Sequence, residues 1–465
     1  MDPDLSKYLI YQNVSIKDAL EKLDENHYGF IFSCNEEGQV LGLATDGDIR
    51  RALINGVAID EPISKCANTD FLSAGLNTSR EILIKRLDSH IKFIPILDGL
   101  GKLNSIISRD YIPLEGEKSV YIRSRAPVRI SFGGGGSDLT HYFENNSGAV
   151  INAAISIYSH GVMRVRNDSK IIVRSFDLGA ILVADNLDHA ISQKGPFGLI
   201  QSLLHVVKPE YGFDLSLNSD FPVGSGLGGS ATLSAVVLGC FNMLREDQWN
   251  QHEVAEIAFQ AERLHLGIAG GWQDQYAAVF GGFNFIEFHA EENVVHPIRV
   301  HSDIASELEE SLILCDLGID HHSGDIHIHQ KETMTSEGVR EMVKNNVKLT
   351  YAIRNYLLRG QLSKFGECLG SAWKLKRNFS SMISSDHIDD IYNGALENGA
   401  SGGKLLGAGG GGFFLFYVPP FKKHSLMSYL ISRDLTLQPF RFEPDGLKTW
   451  KSRENIISIA EEKNK

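Results

Sequence analysis

The sequence predicts an α+β protein in two parts, a small pseudo-symmetric module over residues 1–115 and a larger catalytic region over residues 120–465. Three observations predict this. A helix followed by strand–turn–strand occurs twice in the first part. From Val120 onward, β-like runs mix with long helical runs to the end of the chain, with no second linker. Three glycine clusters then punctuate the larger part, at 133–136, 224–229 and 407–412.

In chain order, the first repeat unit reads FIFSCNEEGQVLGLATDGDI over residues 30–49, and the second FIPILDGLGKLNSIISRDYI over 93–112. Each has an apolar strand, a glycine-bearing turn, a second apolar strand and a polar stretch ending in an acid. Helical patterns at 16–23 and 79–87 precede them, and a helix at 49–55 follows the first. The polar segment PLEGEKS, residues 113–119, has no periodicity and reads as a linker. Beyond it, residues 161–176 read as alternating β-like runs, and 231–247, 252–267 and 336–359 as helices.

Composition bounds the function. With 43% hydrophobic and 22% charged residues, the chain is neither disordered nor fibrous. A net charge of −13 argues against a general binder of nucleic acid or anionic membrane, while leaving room for a local basic pocket. Cys34, Cys66, Cys240, Cys315 and Cys368 form no CxxC pair and read as buried free thiols in a reducing compartment. The longest apolar stretch, residues 231–244, is too short to span a bilayer, and MDPDLSKYLI lacks the pattern of a signal peptide. These features together read as a cytoplasmic protein.

The second glycine cluster, FPVGSGLGGSAT at 221–232, opens directly onto a strong helical run. Bare N–H groups and the helix dipole make such a junction a phosphate site. It is no Walker loop, because no Gly-Lys-Ser/Thr follows, and no dinucleotide fingerprint, because the acid expected after a second strand is missing.

Taken with RAPVRISFGGGGSD (125–138) and GGKLLGAGGGGF (402–413), this segment resembles the three motifs of the GHMP kinases, in their order. Gly229 stands where the loop PxxxGLGSSA has its first Ser. The resemblance spans residues 120–465 and implies the two-lobed GHMP kinase fold, with lobes at about 120–310 and 311–465, and ATP with Mg²⁺ as cofactors. Within the family, these motifs and GGWQDQYAAVFGGFNF look most like the sugar kinases acting on heptose 7-phosphate. A weaker likeness runs to galactokinases and fucose kinases. The N-terminal repeat resembles a CBS domain pair, a module that packs, dimerises or binds adenosine nucleotides. That family's ribose-binding hydroxyl and Asp three residues later match Thr45 and Asp48. The second copy lacks a clean match, with Ile107 or Tyr111 at odds with Asp110 or Ser108. The bland alternative is that Asp48 only caps a helix.

Site roles follow from the resemblance. Phosphoryl transfer needs a phosphate cradle, a cation, a group to orient or deprotonate the hydroxyl, and charge to stabilise the transition state. Asp274 of GGWQDQ is the expected catalytic acid/base and Arg129 the catalytic arginine, against readings as a helix-terminal carboxylate and a solvent-headed strand arginine. Gly224, Ser225, Gly226, Leu227, Gly228, Gly229 and Ser230 would cradle ATP. Ser230 and Glu262 would hold Mg²⁺, although a serine there also suits a helix N-cap. Asp138, Gly135, Gly136 and Gly410 are expected at the sugar, and Lys376 and Arg377 of WKLKRNF at its phosphate. In DHHSGDIHIH, residues 320–329, His321 or His322 would stand in for a basic residue of related kinases; the spacing fits no common zinc template. The expected substrate is a sugar phosphate, D-glycero-α-D-manno-heptose 7-phosphate, and the reaction phosphorylation of its anomeric hydroxyl. The alternatives are a fucose-type 1-kinase and a non-catalytic sugar and nucleotide sensor. A homodimer is a further expectation for the CBS pair.

Overall fold

In a computed structural model, described for residues 4–87, 91–109, 112, 119–222, 224–319 and 323–454, the chain divides into two compact units, within 1–118 and within 119–455. In the first unit, the strand Leu9–Tyr11 pairs in parallel with Phe30–Cys34, which pairs antiparallel with Val40–Thr45. The second half repeats this: Ala74–Gly75 is parallel to Phe93–Leu97, and Phe93–Leu97 antiparallel to Leu103–Ser108. Phe30 and Phe93, the first residue of each copy, meet with ring centroids 4.1 Å apart, so the two copies share one aromatic core. The helix Ile16–Asn26 starts at the Ser15 cap and buries Ile16, Ala19 and Leu23, one face at helical spacing.

The helix expected at 49–55 begins earlier, at Asp46, because Thr45 is its N-cap. The Thr45 hydroxyl accepts from the Asp48 N–H and the Asp48 carboxylate accepts from the Thr45 N–H, closing a capping box. The Thr45 hydroxyl also donates to Asp48 at 2.6 Å, and Arg51 pairs with the other carboxylate oxygen. Ile107 and Ser108 are buried on their strand, while Asp110, Tyr111 and residues 113–118 of the expected linker lie outside the described residues.

The second unit holds an eight-stranded sheet around the long strand Gly148–Val165. That strand pairs with Phe213–Ser219 through one half, Phe283–Phe288 through the other, and Ser119–Gly133 along most of its length. A four-stranded sheet of Gly402–Leu405, Phe413–Tyr417, Leu312–Asp316 and Thr436–Leu437 forms a second lobe. The lobes are not successive halves of the sequence: the strand Lys448–Glu454 returns to pair with Ser119–Gly133 in the first sheet. The apolar run at 231–244 is the core helix Gly229–Asn242, buried from Ala231 to Phe241 apart from Leu233. No described helix is long and apolar enough to cross a membrane. All five cysteines are free, and four are buried; burial pushes the thiols of Cys240 and Cys315 up to about 12.

The first glycine cluster is fixed by this packing. Gly134 has φ +83°, and a Cβ there would stand 1.9 Å from the Ala149 carbonyl oxygen, so only glycine lets the loop lie on its neighbouring strand.

Candidate active site

On the strand Ser119–Gly133, Val128, Ile130 and Phe132 enter the hydrophobic core shared with Phe365 and Leu415, and Arg129 points to the opposite face. There Arg129 is 2% exposed. Its Nε and Nη2 donate to Asp274 Oδ1 at 2.8 and 2.7 Å, and its Nη1 to the Gly226 carbonyl at 2.9 Å. The reading of a strand-edge arginine in solvent is thereby excluded. Asp274 lies in the first turn of the helix Gln273–Phe280, where the dipole favours an anion, and its side chain is partly open. Its Oδ2 would lie 3.3 Å from any Cβ at position 228, so a bare Gly228 keeps the carboxylate uncovered.

Asp138 is buried. Its Oδ1 accepts from the Gly136 N–H at 3.0 Å, its Oδ2 from Gln273 at 3.4 Å, and its carbonyl from Trp272 at 3.1 Å. These bonds clamp the first motif to GGWQDQ, and a Cβ on Gly271 would overlap the Asp138 carboxylate at 1.8 Å. Burial, and then the charge of Asp274, pushes the Asp138 carboxyl upward.

Gly224, Gly226 and Gly228 take φ of +80°, +73° and +83°, turning the chain so that the helix Gly229–Asn242 starts with no side-chain cap. Gly228, not Ser230, is the N-cap; Ser230 is the second residue inside the helix, and its hydroxyl makes no hydrogen bond among the described residues. A Cβ on Gly229 would stand 2.5 Å from the Phe221 ring, which explains glycine where the family loop has serine. Leu227 is fully buried and anchors the loop to the core. The third motif lies directly on this loop: a Cβ on Gly407 would meet Gly226 at 2.7 Å, and one on Gly412 the Ser225 carbonyl at 2.4 Å. Gly410, at φ +78°, donates to the Ile383 carbonyl. This glycine-rich loop, opening on a helix start with no side-chain cap, has the backbone chemistry that phosphates of ATP would take.

The helix expected over 252–267 is α-helical only to Phe259 and then becomes the π-turn Gln260–His265. The wider turn brings Glu262 inward, 3% exposed. Its Oε2 accepts from Gln275 at 2.7 Å, and its Oε1 pairs with Arg263 at 3.2 Å. Ser230 and Glu262 supply oxygen donors of the kind Mg²⁺ takes alongside water and phosphate. Among the described residues, no three His, Cys, Asp or Glu side chains gather as a metal site.

Of the three cations in the WKLKRNF run, only Lys376 faces this centre; the Phe379 ring packs there too, against Gly136. Lys376 is buried, its Nζ donates to the Gly407 carbonyl, and its charged neighbours include Arg129, Asp138, Asp274 and Lys404. Burial chiefly, with Arg129, lowers its pKa to about 8. Arg377, expected beside it, instead pairs at 3.3 Å with Asp389 on the helix Asp386–Glu397, because one residue further along a helix turns to another face; Lys374 is exposed. His321 and His322 lie outside the described residues. Three further groups at the centre escaped the sequence reading. Arg263 donates to the Ile268 and Gly271 carbonyls, with its guanidinium filling the space beside Gly270. Lys404, fully buried within the third motif, donates to the Ser131 carbonyl at 2.8 Å; burial, Lys376 and Arg129 hold it well below the usual lysine range. His327 is the third. The glycines beside Arg263 and the lysine inside a glycine motif were the available signals.

Comparison with known proteins agrees with this geometry. Residues 198–282 match the profile of the GHMP kinases N terminal domain, 353–424 that of the GHMP kinases C terminal domain, and 7–55 that of the CBS domain. A D-glycero-alpha-D-manno-heptose 7-phosphate kinase of Campylobacter jejuni is 36% identical over 336 residues, covering 71% of this chain and 99% of that protein. The L-fucokinase/L-fucose-1-P guanylyltransferase of Bacteroides fragilis is 26% identical over 70% of this chain, but only 38% of that protein is covered. The crystal structure of a D-glycero-D-manno-heptose 1-phosphate kinase from Bacteroides thetaiotaomicron superposes with a TM-score of 0.60 at 28% identity, covering 72% of this chain and all of that one. With its three glycine motifs folded onto one centre and a relative this similar over nearly that relative's whole length, the chain belongs to the GHMP kinases and carries an N-terminal CBS domain.

Proposed function

We propose that this chain is an ATP- and Mg²⁺-dependent kinase that phosphorylates the anomeric hydroxyl of a sugar phosphate, D-glycero-α-D-manno-heptose 7-phosphate, giving the 1,7-bisphosphate. The observation that carries the reading is the ion pair of the buried Arg129 with Asp274, with Lys376 beside it and Arg129 also bonded to the glycine loop at Gly226. Similarity to the D-glycero-alpha-D-manno-heptose 7-phosphate kinase of Campylobacter jejuni supports the 7-phosphate as substrate.

In this reading, Asp274 accepts the proton of the attacking hydroxyl. Arg129 fixes the carboxylate through Oδ1 and places positive charge near the negative charge of the transferring group. Asp138, locked by backbone donors, positions sugar hydroxyls beside the bare Gly135 and Gly136, and Lys376 attracts the substrate's anionic group. The N–H groups of residues 224–230 would hold ATP, and Ser230 with Glu262 would hold Mg²⁺. When bound, the two supply the phosphoryl group and charge neutralisation.

The test is turnover of heptose 7-phosphate, mannose 6-phosphate, sedoheptulose 7-phosphate, fucose and galactose with ATP and Mg²⁺, with products examined by phosphorus NMR. A new anomeric phosphate on heptose 7-phosphate alone is expected. Turnover of fucose alone would replace the heptose reading with the fucose-type one, and sugar binding without turnover would favour a sensor.

Lys376 sets a pH dependence. Its ammonium is present below about 8 and lost above it. The kcat/KM for a phosphorylated sugar therefore falls as pH rises through about 8, and Lys376→Arg removes that fall. The same fall in the arginine variant would contradict the assignment.

The proposal extends to the CBS domain, where Thr45 and Asp48 would hold the ribose of an adenosine nucleotide by opening their mutual hydrogen bond. Calorimetry is expected to show AMP binding to the wild type and none to Asp48→Ala. Equal binding by both proteins, or no heat with either, would refute it.

A further inference from the structure

His327 lies on the helix Ser323–Thr333, in the histidine-rich stretch expected to supply a positive charge. The hydrogen bonds around it assign a different role. Gln330, almost fully buried, donates through Nε2 to the Ala408 carbonyl of the third motif at 3.3 Å. A carbonyl can only accept, so this bond fixes which end of the amide is nitrogen. Gln330 Oε1 is then an acceptor, and it faces His327 Nδ1 at 3.3 Å. The proton must sit on Nδ1, which leaves Nε2 as a bare lone pair. His327 makes no other hydrogen bond among the described residues.

The charged neighbours of this imidazole are Arg263, Lys376 and Asp274. Burial first, then the two cations, lower its pKa to about 4, with Asp274 opposing them, so the ring stays neutral at physiological pH. The side chains around the centre divide accordingly. Arg129, Arg263 and Lys376 only donate. Asp138 is clamped by backbone donors and Asp274 by Arg129. A polyhydroxylated ligand offers donors as well as acceptors, and a neutral acceptor among these groups selects a hydroxyl over a phosphate oxygen.

We propose that His327 is a specificity-determining residue whose Nε2 accepts a hydrogen bond from a substrate hydroxyl, in the orientation fixed by the Gln330–Ala408 relay. The inference rests on the sugar kinase reading above and adds a sugar contact that is independent of the phosphate. It also ties the third glycine motif to sugar selection, because the carbonyl that orients the relay belongs to that motif.

Nitrogen-15 NMR of the histidine rings in the whole protein tests it first. At pH 7, without sugar, a neutral ring with the proton on Nδ1 is expected for His327; an imidazolium or an Nε2–H tautomer overturns the proposal, whatever the enzyme's substrate. The kinetic arm uses the sugar the wild type turns over and its monodeoxy analogues. His327→Leu is expected to lower kcat/KM for the sugar by about 10- to 100-fold, with KM for ATP unchanged. His327→Gln, which keeps an acceptor, should recover part of that loss. For one monodeoxy analogue, His327→Leu should cost nothing further, since the hydroxyl it serves is already gone. Equal losses on every analogue would overturn the contact. Failure of the wild type to turn over any sugar would instead strike the kinase reading, with the tautomer still deciding the geometry.

Discussion

Burying a guanidinium costs several kcal/mol unless its donors are met, and Arg129 meets that demand with acceptors from two segments far apart in the chain. Asp274 supplies one from the start of its helix, and Gly226 supplies the other from the phosphate loop. The backbone of Arg129 adds a third tie, accepted by the Leu227 carbonyl. A strand, a loop and a helix N-terminus are thus fixed to one side chain. The position of the Asp274 carboxylate relative to the glycine loop follows from that attachment.

The glycines follow from the same crowding. Three motifs converge on a space already occupied by Arg129, Asp274, Asp138 and Lys376, and a Cβ at Gly226, Gly228, Gly271, Gly407 or Gly412 would press on backbone or on the carboxylate of Asp138 or Asp274. Positive φ at several of them adds a conformational reason for the same residue. The charges are balanced in a comparable way. Lys376 and Lys404 are each buried among groups of both signs, so each lysine feels repulsion from Arg129 and attraction from Asp138.

Much of this was legible in the sequence because it is written locally. The repeat in the first unit and the helix after the second glycine cluster each show in a window of a few residues. What stayed hidden depends on phase or on distance. Lys376 and Arg377 are adjacent in sequence, and only the helix rotation fixed by the buried Trp373 decides which one turns inward. The π-turn that carries Glu262 differs from an α-helix in its hydrogen-bond spacing, which apolar periodicity does not reveal. The strand Lys448–Glu454 joins the first sheet from the other end of the chain, and no local pattern announces its partner. Thr45 and Asp48 close a capping box with the same hydroxyl and carboxylate that the resemblance assigns to a ribose, so the sequence pattern alone does not separate the two roles.

The central claim is that Arg129 and Asp274 act as one catalytic unit, and a double-mutant cycle on kcat tests it most directly. Arg129→Met, Asp274→Asn and the double variant would be assayed with the sugar the wild type turns over fastest, with sugar binding followed separately by calorimetry. Each single change is expected to lower kcat by about 10³-fold or more while sugar binding persists, and the double variant to be no slower than the worse single one. Losses that multiply in the double variant would mean that the two residues act independently, and the account built on their pairing would fail.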